Sequence, residues 1–275
     1  MEPFVQSSER FVTIERWQQA FLHLIVGFST RNGGESQSPF SSLNLGFHVG
    51  DDPLTVKHNR HLLAEDLGIP VSRWVGTEQV HEATVKKITE GDVGRGSESL
   101  ESAIQMTDGI YTCEKNVLLT SLYADCVPLY FFSPNYEIVG LAHAGWRGTV
   151  QNIASVMIEK WHIDEGIPVN DIQVAIGPCI SKTAYEVDQK VITEVEKVWP
   201  KDLQFKPYTT LENNKYLLDL REVNKQLMIQ AGIKQNQILL SSICTASDKR
   251  MFSHRADGGK TGRLMSYIGI RVDGD

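Results

Sequence analysis

The sequence predicts a mixed α/β (α+β) fold in which a mixed sheet sandwich is flanked by helices. Three observations carry this. Short apolar runs of strand length recur along the chain, several rich in Val, Ile or Tyr as a pleated core requires. Capped segments with helical apolar spacing alternate with them. Ser133-Pro134-Asn135 separates two strand runs by a turn, and a hairpin there is incompatible with strict βαβ winding.

The first strand run spans residues 22–28. A helix follows over 52–67: Asp52 caps it, Pro53 suits the first helical position, and Gly68 stops it. Residues 91–102, GDVGRGSESLES, read as a surface loop. Strand runs at 117–123, 127–132 and 138–142 come next, with 117–132 expected to pair with 137–144 as a hairpin. Residues 149–161 place Ile153, Val156, Met157 and Trp161 at helical spacing. A strand at 172–176 leads to a helix over 188–199 that carries Val191, Ile192, Val195 and Val198. Asp219 with Glu222 three residues on forms a capping box for a helix that runs to Ala231 and stops at Gly232. Strands at 238–241 and 264–270 complete the chain, and without linker or repeat residues 1–275 read as a single domain.

Composition narrows the function. The 275 residues carry 27 Lys+Arg against 34 Asp+Glu, a formal net charge of -7, so there is no basic footprint for nucleic acid. The apolar run at 22–27 is broken by His23 and is too short for a membrane span, and Glu2 and Glu9 replace a basic leader region. A soluble, cytoplasmic protein with no nucleic-acid or membrane partner is expected. Cys113, Cys126, Cys179 and Cys244 show no CxxC spacing, which argues against a disulfide framework.

Reactive side chains gather where apolar runs end. Cys126 lies in YADCVP, His143 in LAHAGWRGT and His81 in GTEQVH. Together they would form a two-nitrogen, one-sulfur ligand set, and three protein ligands leave a fourth tetrahedral position open, as in a catalytic zinc site. An ion there can lower the pKa of a bound water toward neutrality. Copper accepts the same ligands, so the set does not choose the metal. The bland alternative stays open at this point: Cys126 as a small buried apolar residue and His143 as a hydrogen-bonded core residue.

The other histidines are weaker candidates. His58 and His61 fall on a helix face better read as solvated, His23 on a strand, and His162 at a helix end where a cation suits the dipole. His48, in a loop dense with Gly and Asn, is kept as an outer residue of the site. For an anion, Arg147 precedes a helix start. Arg31 in FSTRNGG and Asn44 in NLGFHVGD stand with it as candidate substrate or phosphate contacts. SHRADGGKTGR, residues 253–263, superficially resembles a phosphate loop but lacks the GxxxxGK[ST] spacing and precedes a strand. Cys179 reads as structural, and Asp125 receives no role.

FSTRNGG, SLNLGFHVGDD, QVH, DGIYT, ADCVPLYF, HAGWRGT, IGPCIS and SHRADGGKTGR, in that order over nearly the whole chain, resemble the YlmD/YfiH family. These are the laccase-domain proteins long labelled multicopper polyphenol oxidases and later recognised as purine nucleoside phosphorylases. The resemblance implies a cysteine-hydrolase-like (YfiH-type) mixed α/β sandwich and zinc on His81, Cys126 and His143. It also implies phosphorolysis of adenosine, inosine and S-methyl-5′-thioadenosine by inorganic phosphate and some adenosine deamination. A monomer or homodimer is expected. An oxidase that reduces O₂ with several coppers needs more ligands than this one set, so copper oxidase activity is expected only as a side reaction. A metal-free thiol hydrolase acting on cell-wall precursors, with His143 activating Cys126, and a non-catalytic nucleoside or metal binder are the alternatives.

Overall fold

The computed structural model describes residues 2–272. In chain order it begins with β1 (Phe4–Ser8), β2 (Phe11–Ile14), α1 (Glu15–Ala20), β3 (Leu24–Ser29), α2 (Pro53–Leu67), β4 (Trp74–Val75), β5 (Val85–Lys87) and β6 (Gly109–Thr112). The middle of the chain forms β7 (Leu118–Tyr123), β8 (Val127–Ser133), β9 (Ile138–Ala144), α3 (Trp146–Val150), α4 (Ile153–Asp164) and β10 (Gln173–Ile176). Then follow β11 (Glu186–Asp188), α5 (Gln189–Val198), β12 (Tyr208–Thr210), β13 (Lys215–Leu218), α6 (Leu220–Gln230), β14 (Ile238–Leu240) and β15 (Leu264–Ile270).

The strands form two six-stranded mixed sheets, β1-β2-β3-β15-β7-β4 and β14-β10-β8-β9-β6-β5, and a small sheet β11-β13-β12. Side-chain alternation fixes how they stack. Phe28, Leu119 and Tyr123 of the first sheet share one core with Tyr130, Phe132, Val139 and Leu141 of the second. The residues between them on each strand face outward. Ile25, Leu118, Met265 and Tyr267 pack under Leu63, Ala64 and Leu67 of α2. Val127, Leu129, Phe131 and Ala142 pack under α4, α5 and α6, where Trp161 is fully buried. The result is a mixed α/β sandwich with helices on both outer faces, held by large apolar side chains worth roughly 1.5–3 kcal/mol each on burial.

Several expectations need correction. Residues 117–132 do not make one hairpin arm. β7 lies in the first sheet and β8 in the second, and the chain crosses between them at Asp125, whose φ is 92°. Only β8 and β9 form the hairpin. The helix expected at 149–161 is two helices: Asn152 adopts φ 59° and its side chain accepts the Ser155 amide at 3.3 Å, capping α4 afresh. The loop at 91–102 is partly internal, since Ser97 is buried and its carbonyl accepts from Arg60 at 2.7 Å. Among the described residues no helix is long and apolar enough to cross a membrane.

Candidate metal centre

Three chain segments meet at one end of the inter-sheet core. On the β8–β9 hairpin His143 stands opposite Pro128, and Val127 opposite Ala144; one step beyond lie Cys126 and Gly145. His143 shares its strand face with Val139 and Leu141, so it points between the sheets at their open end. His81 arrives from the loop after β4 with φ 64°, a left-handed conformation unfavourable for a residue with a side chain. One ligand atom each from His81, Cys126 and His143 lie within 4.8 Å of one another. The two imidazole rings meet edge to face at 4.7 Å.

Asp108, a residue absent from the expected site, holds this geometry. Its Oδ1 accepts the His81 amide at 2.9 Å, and its Oδ2 accepts the Val80 and Glu82 amides at 3.1 and 3.0 Å. Three successive amides on one carboxylate keep the strained His81 turn in place. The same Oδ1 lies 2.9 Å from His143 Nδ1. An ionised carboxylate only accepts, so Nδ1 carries a proton, which leaves Nε2 as the ring atom available to a metal ion. Burial pushes Asp108 up, but His143 and the amides outweigh it and leave its carboxyl below the usual range. The legible signal was an acid directly before the apolar strand in DGIYT.

Cys126 and His143 shift each other. Burial raises the thiol, yet the His143 charge and hydrogen bonds from His143 and His81 bring it below its ordinary value. Burial lowers His143, yet Cys126 and Asp108 raise it above the ordinary imidazole. Gly145 supplies the space: a Cβ there would lie 3.0 Å from His81 Cδ2 and 3.2 Å from Cys126 Sγ. One thiolate and two imidazoles, with an orienting carboxylate behind one of them, fit a single borderline-soft divalent ion with one position left open.

The cluster forms part of the wall of a cavity of about 560 Å³. Leu122, Ile180 and Tyr185 give it apolar walls; Glu78, His48, His254, Arg255 and Arg263 give it polar ones. The 253–263 loop thus supplies three cavity side chains. Asp125 reaches the rim, but its oxygens accept Thr245 Oγ1 at 2.7 Å and the Arg255 amide at 2.8 Å, tying that loop to the sheet crossing.

The three expected anion contacts do not line this cavity. Arg31 donates to the Ser41 carbonyl at 3.0 Å and stacks over Phe252 at 4.5 Å. Arg147 is exposed and lies over Trp146 at 5.3 Å. Asn44 is fully buried and bonded to Asp51, Gly46 and the Arg263 amide. His58 and His61 sit on the exposed face of α2 beside Glu35 and Glu98. His162 Nδ1 lies 3.0 Å from the Ile167 carbonyl, and Cys179 is buried beside Cys244 in an isolated bridge.

A family profile described as multi-copper polyphenol oxidoreductase laccase matches residues 25–271. A relative from Geobacillus stearothermophilus named purine nucleoside phosphorylase YlmD is 44% identical over 254 residues, covering 92% of each chain. One of the same name from Bacillus subtilis is 41% identical over 273 residues, covering 98% of each. The crystal structure of YlmD from Geobacillus stearothermophilus superposes with a TM-score of 0.95 at 41% identity, over 99% of this chain and 100% of that one.

Proposed function

The chain belongs to the multi-copper polyphenol oxidoreductase laccase family, and from that premise we propose that it is a zinc-dependent purine nucleoside phosphorylase of the cytoplasm. Its substrates are adenosine, inosine and S-methyl-5′-thioadenosine with inorganic phosphate. The observation that carries this reading is the convergence of His81, Cys126 and His143 on one cavity wall, oriented by Asp108. The relatives' shared name, purine nucleoside phosphorylase, supports it.

In the reaction a phosphate oxygen bonds to the anomeric carbon, the glycosidic C–N bond breaks, and the purine leaves with that electron pair and takes up a proton. His81, Cys126 and His143 would hold a zinc ion, which would supply a Lewis acid to the cavity. Asp108 keeps the proton of His143 on Nδ1, so that Nε2 remains a ligand throughout. Leu122, Ile180 and Tyr185 offer the purine an apolar wall and exclude water from the breaking bond. Glu78 presents a carboxylate to the same cavity, suited to sugar hydroxyls. Adenosine deamination is a side activity of the same centre.

Reduction of O₂ by several coppers needs several ligand sets, and the described residues offer one three-ligand group. Oxidase chemistry is therefore a minor property of a single ion. The lowered thiol of Cys126 beside the raised imidazole of His143 is the arrangement a thiol hydrolase uses, so that reading is kept as second.

The test is to incubate zinc-loaded protein with inosine, with and without phosphate, and separate the products by chromatography. Hypoxanthine and ribose 1-phosphate appear only with phosphate, and His81→Ala or Cys126→Ala abolishes both. Release of base without phosphate overturns phosphorolysis, and activity that survives removal of the metal favours the thiol hydrolase.

A further inference from the structure

The cations that approach the metal-ligand cluster differ from those expected, and their hydrogen bonding is unusual. Arg263 precedes β15 in the cavity wall. Its Nη1 donates to the carbonyls of Thr261 and Gly262 at 2.9 and 3.1 Å. Among the described residues the other edge of that guanidinium, Nε with Nη2, has no hydrogen-bond partner, and no carboxylate pairs with it. That edge is the side-on fork that matches two oxygens of a phosphate.

A second guanidinium, Arg60, lies near the His48 side chain. Arg60 is buried, donating to the carbonyls of Leu45, Gly96 and Ser97 and packing over Phe47 at 4.4 Å. Four of its five N–H groups are bonded, no carboxylate forms an ion pair with it among the described residues, and Glu98 acts on its charge only at a distance. His48 faces the cavity with both arginines near it: burial first, then Arg263 and Arg60, hold it down to about 4. It is therefore a neutral ring able to donate one hydrogen bond. Cys126 and Asp125 act on the half-buried Arg263, and Glu98 on Arg60, only at a distance and without an ion pair, so an anion in the cavity gives Arg263 the direct partner it lacks.

The position of Arg263 is built deliberately into the chain. Asn44 Oδ1 accepts the Arg263 amide at 2.8 Å and the Gly46 amide at 3.0 Å, while Nδ2 donates to Asp51 at 2.9 Å. The Arg263 stem crosses Gly46, where a Cβ would lie 2.8 Å from Arg263 Cγ. The NLGFHVGD segment therefore serves as the seat of Arg263 and the carrier of His48.

We propose that the Nε/Nη2 edge of Arg263, with His48 beside it, holds the inorganic phosphate that attacks the nucleoside. Arg60 adds charge without contact, and Asn44 is a positioning residue acting through Arg263. The assignment rests on the phosphorolysis reading and names where its second substrate binds.

The experiment measures KM for phosphate and for inosine on zinc-loaded protein, together with calorimetric titration of inorganic phosphate alone. Arg263→Gln raises the phosphate KM about 10- to 100-fold, the loss expected for a charged hydrogen-bonding partner, with inosine KM within about twofold, and abolishes the phosphate titration. Arg263→Lys keeps charge and stem but loses the fork, and raises phosphate KM by about tenfold. Asn44→Ala moves phosphate KM in the same direction by less, and Arg147→Ala leaves it within about twofold. An unchanged phosphate KM and phosphate titration in Arg263→Gln and Arg263→Lys overturn the assignment. Base release by the wild type without phosphate overturns the phosphorolysis reading instead, and the phosphate titration still scores Arg263.

Discussion

Asp108 and His143 hold each other at two points: the Asp108 carboxylate receives His143 Nδ1 at 2.9 Å, and the Asp108 carbonyl accepts the His143 amide at 2.7 Å. The backbone contact continues the β6–β9 ladder by one step past Gly109 and Ala142. The side-chain contact fixes the tautomer. One residue thus couples strand register to the direction of a ligand lone pair, and the same carboxylate fastens the His81 turn through three amides.

Asp108→Asn should therefore weaken metal binding without touching a ligand. An amide offers one acceptor oxygen in place of two, and its NH₂ faces amides that need an acceptor. Loss of an orienting partner of this kind costs about 10- to 100-fold in metal affinity. Competition with a chromophoric zinc chelator measures this, and an affinity within twofold of wild type would show that Asp108 does not orient the site.

The same substitution should change the acid limb of stability. The Asp108 carboxyl is held below its ordinary value, so the folded state binds its proton less readily than the unfolded chain does. Its contribution is fully present above the ordinary carboxylate range and is lost as pH falls through the lowered folded value. The difference in melting temperature between wild type and Asp108→Asn should accordingly be widest near neutrality and shrink in acid. A gap that stays constant with pH would contradict the linkage.

Local chemistry explains which features were legible. α2 spans Pro53–Leu67 as expected because its stops are local: Asp52 accepts the Thr55 amide at 2.9 Å and Gly68 takes φ 62°. β15 spans Leu264–Ile270, an apolar run buried on both faces. His81, Cys126 and His143 stood out because each interrupts or ends such a run. The crossing at Asp125 was not legible, since an acid in a left-handed conformation between two apolar runs looks like a hairpin defect until both sheets are seen. Neither was the anion-facing arginine. Arg263 owes its position to Asn44, whose oxygen is 219 positions away in sequence. The polar strands β12 and β13 escaped for a third reason: they bury little of the period-two pattern that marks a strand.

Metal-free protein should show an unusually reactive Cys126. Its lowered pKa means that thiolate predominates above that value and disappears as pH falls through it. Iodoacetamide labelling followed by mass spectrometry should find Cys126 modified faster at neutral pH than the more exposed Cys113, whose thiol is pushed up by partial desolvation. His143→Gln removes the stabilising cation and should move the inflection of the rate upward in pH, while zinc should protect Cys126. Equal labelling of the two cysteines in metal-free wild type would contradict the coupling.

Gly145→Ala separates fold from site. The backbone there has φ -66° and ψ 174°, extended geometry that alanine adopts without strain. The cost is local and steric, because the new Cβ would stand 3.0 Å from His81 Cδ2 and 3.2 Å from Cys126 Sγ. His81 sits on a turn that Asp108 already clamps, so its ring can yield only by leaving the ligand cluster. The variant should fold with a melting temperature within about 3 °C of wild type, roughly the effect of 1 kcal/mol in a chain of this size. Zinc affinity and phosphorolysis should each fall by about tenfold or more, since a ligand displaced by under an ångström loses its alignment. Thermal melts read alongside chelator competition decide the matter. A variant that binds zinc as tightly as wild type would mean that the space beside Gly145 is not needed by the metal centre.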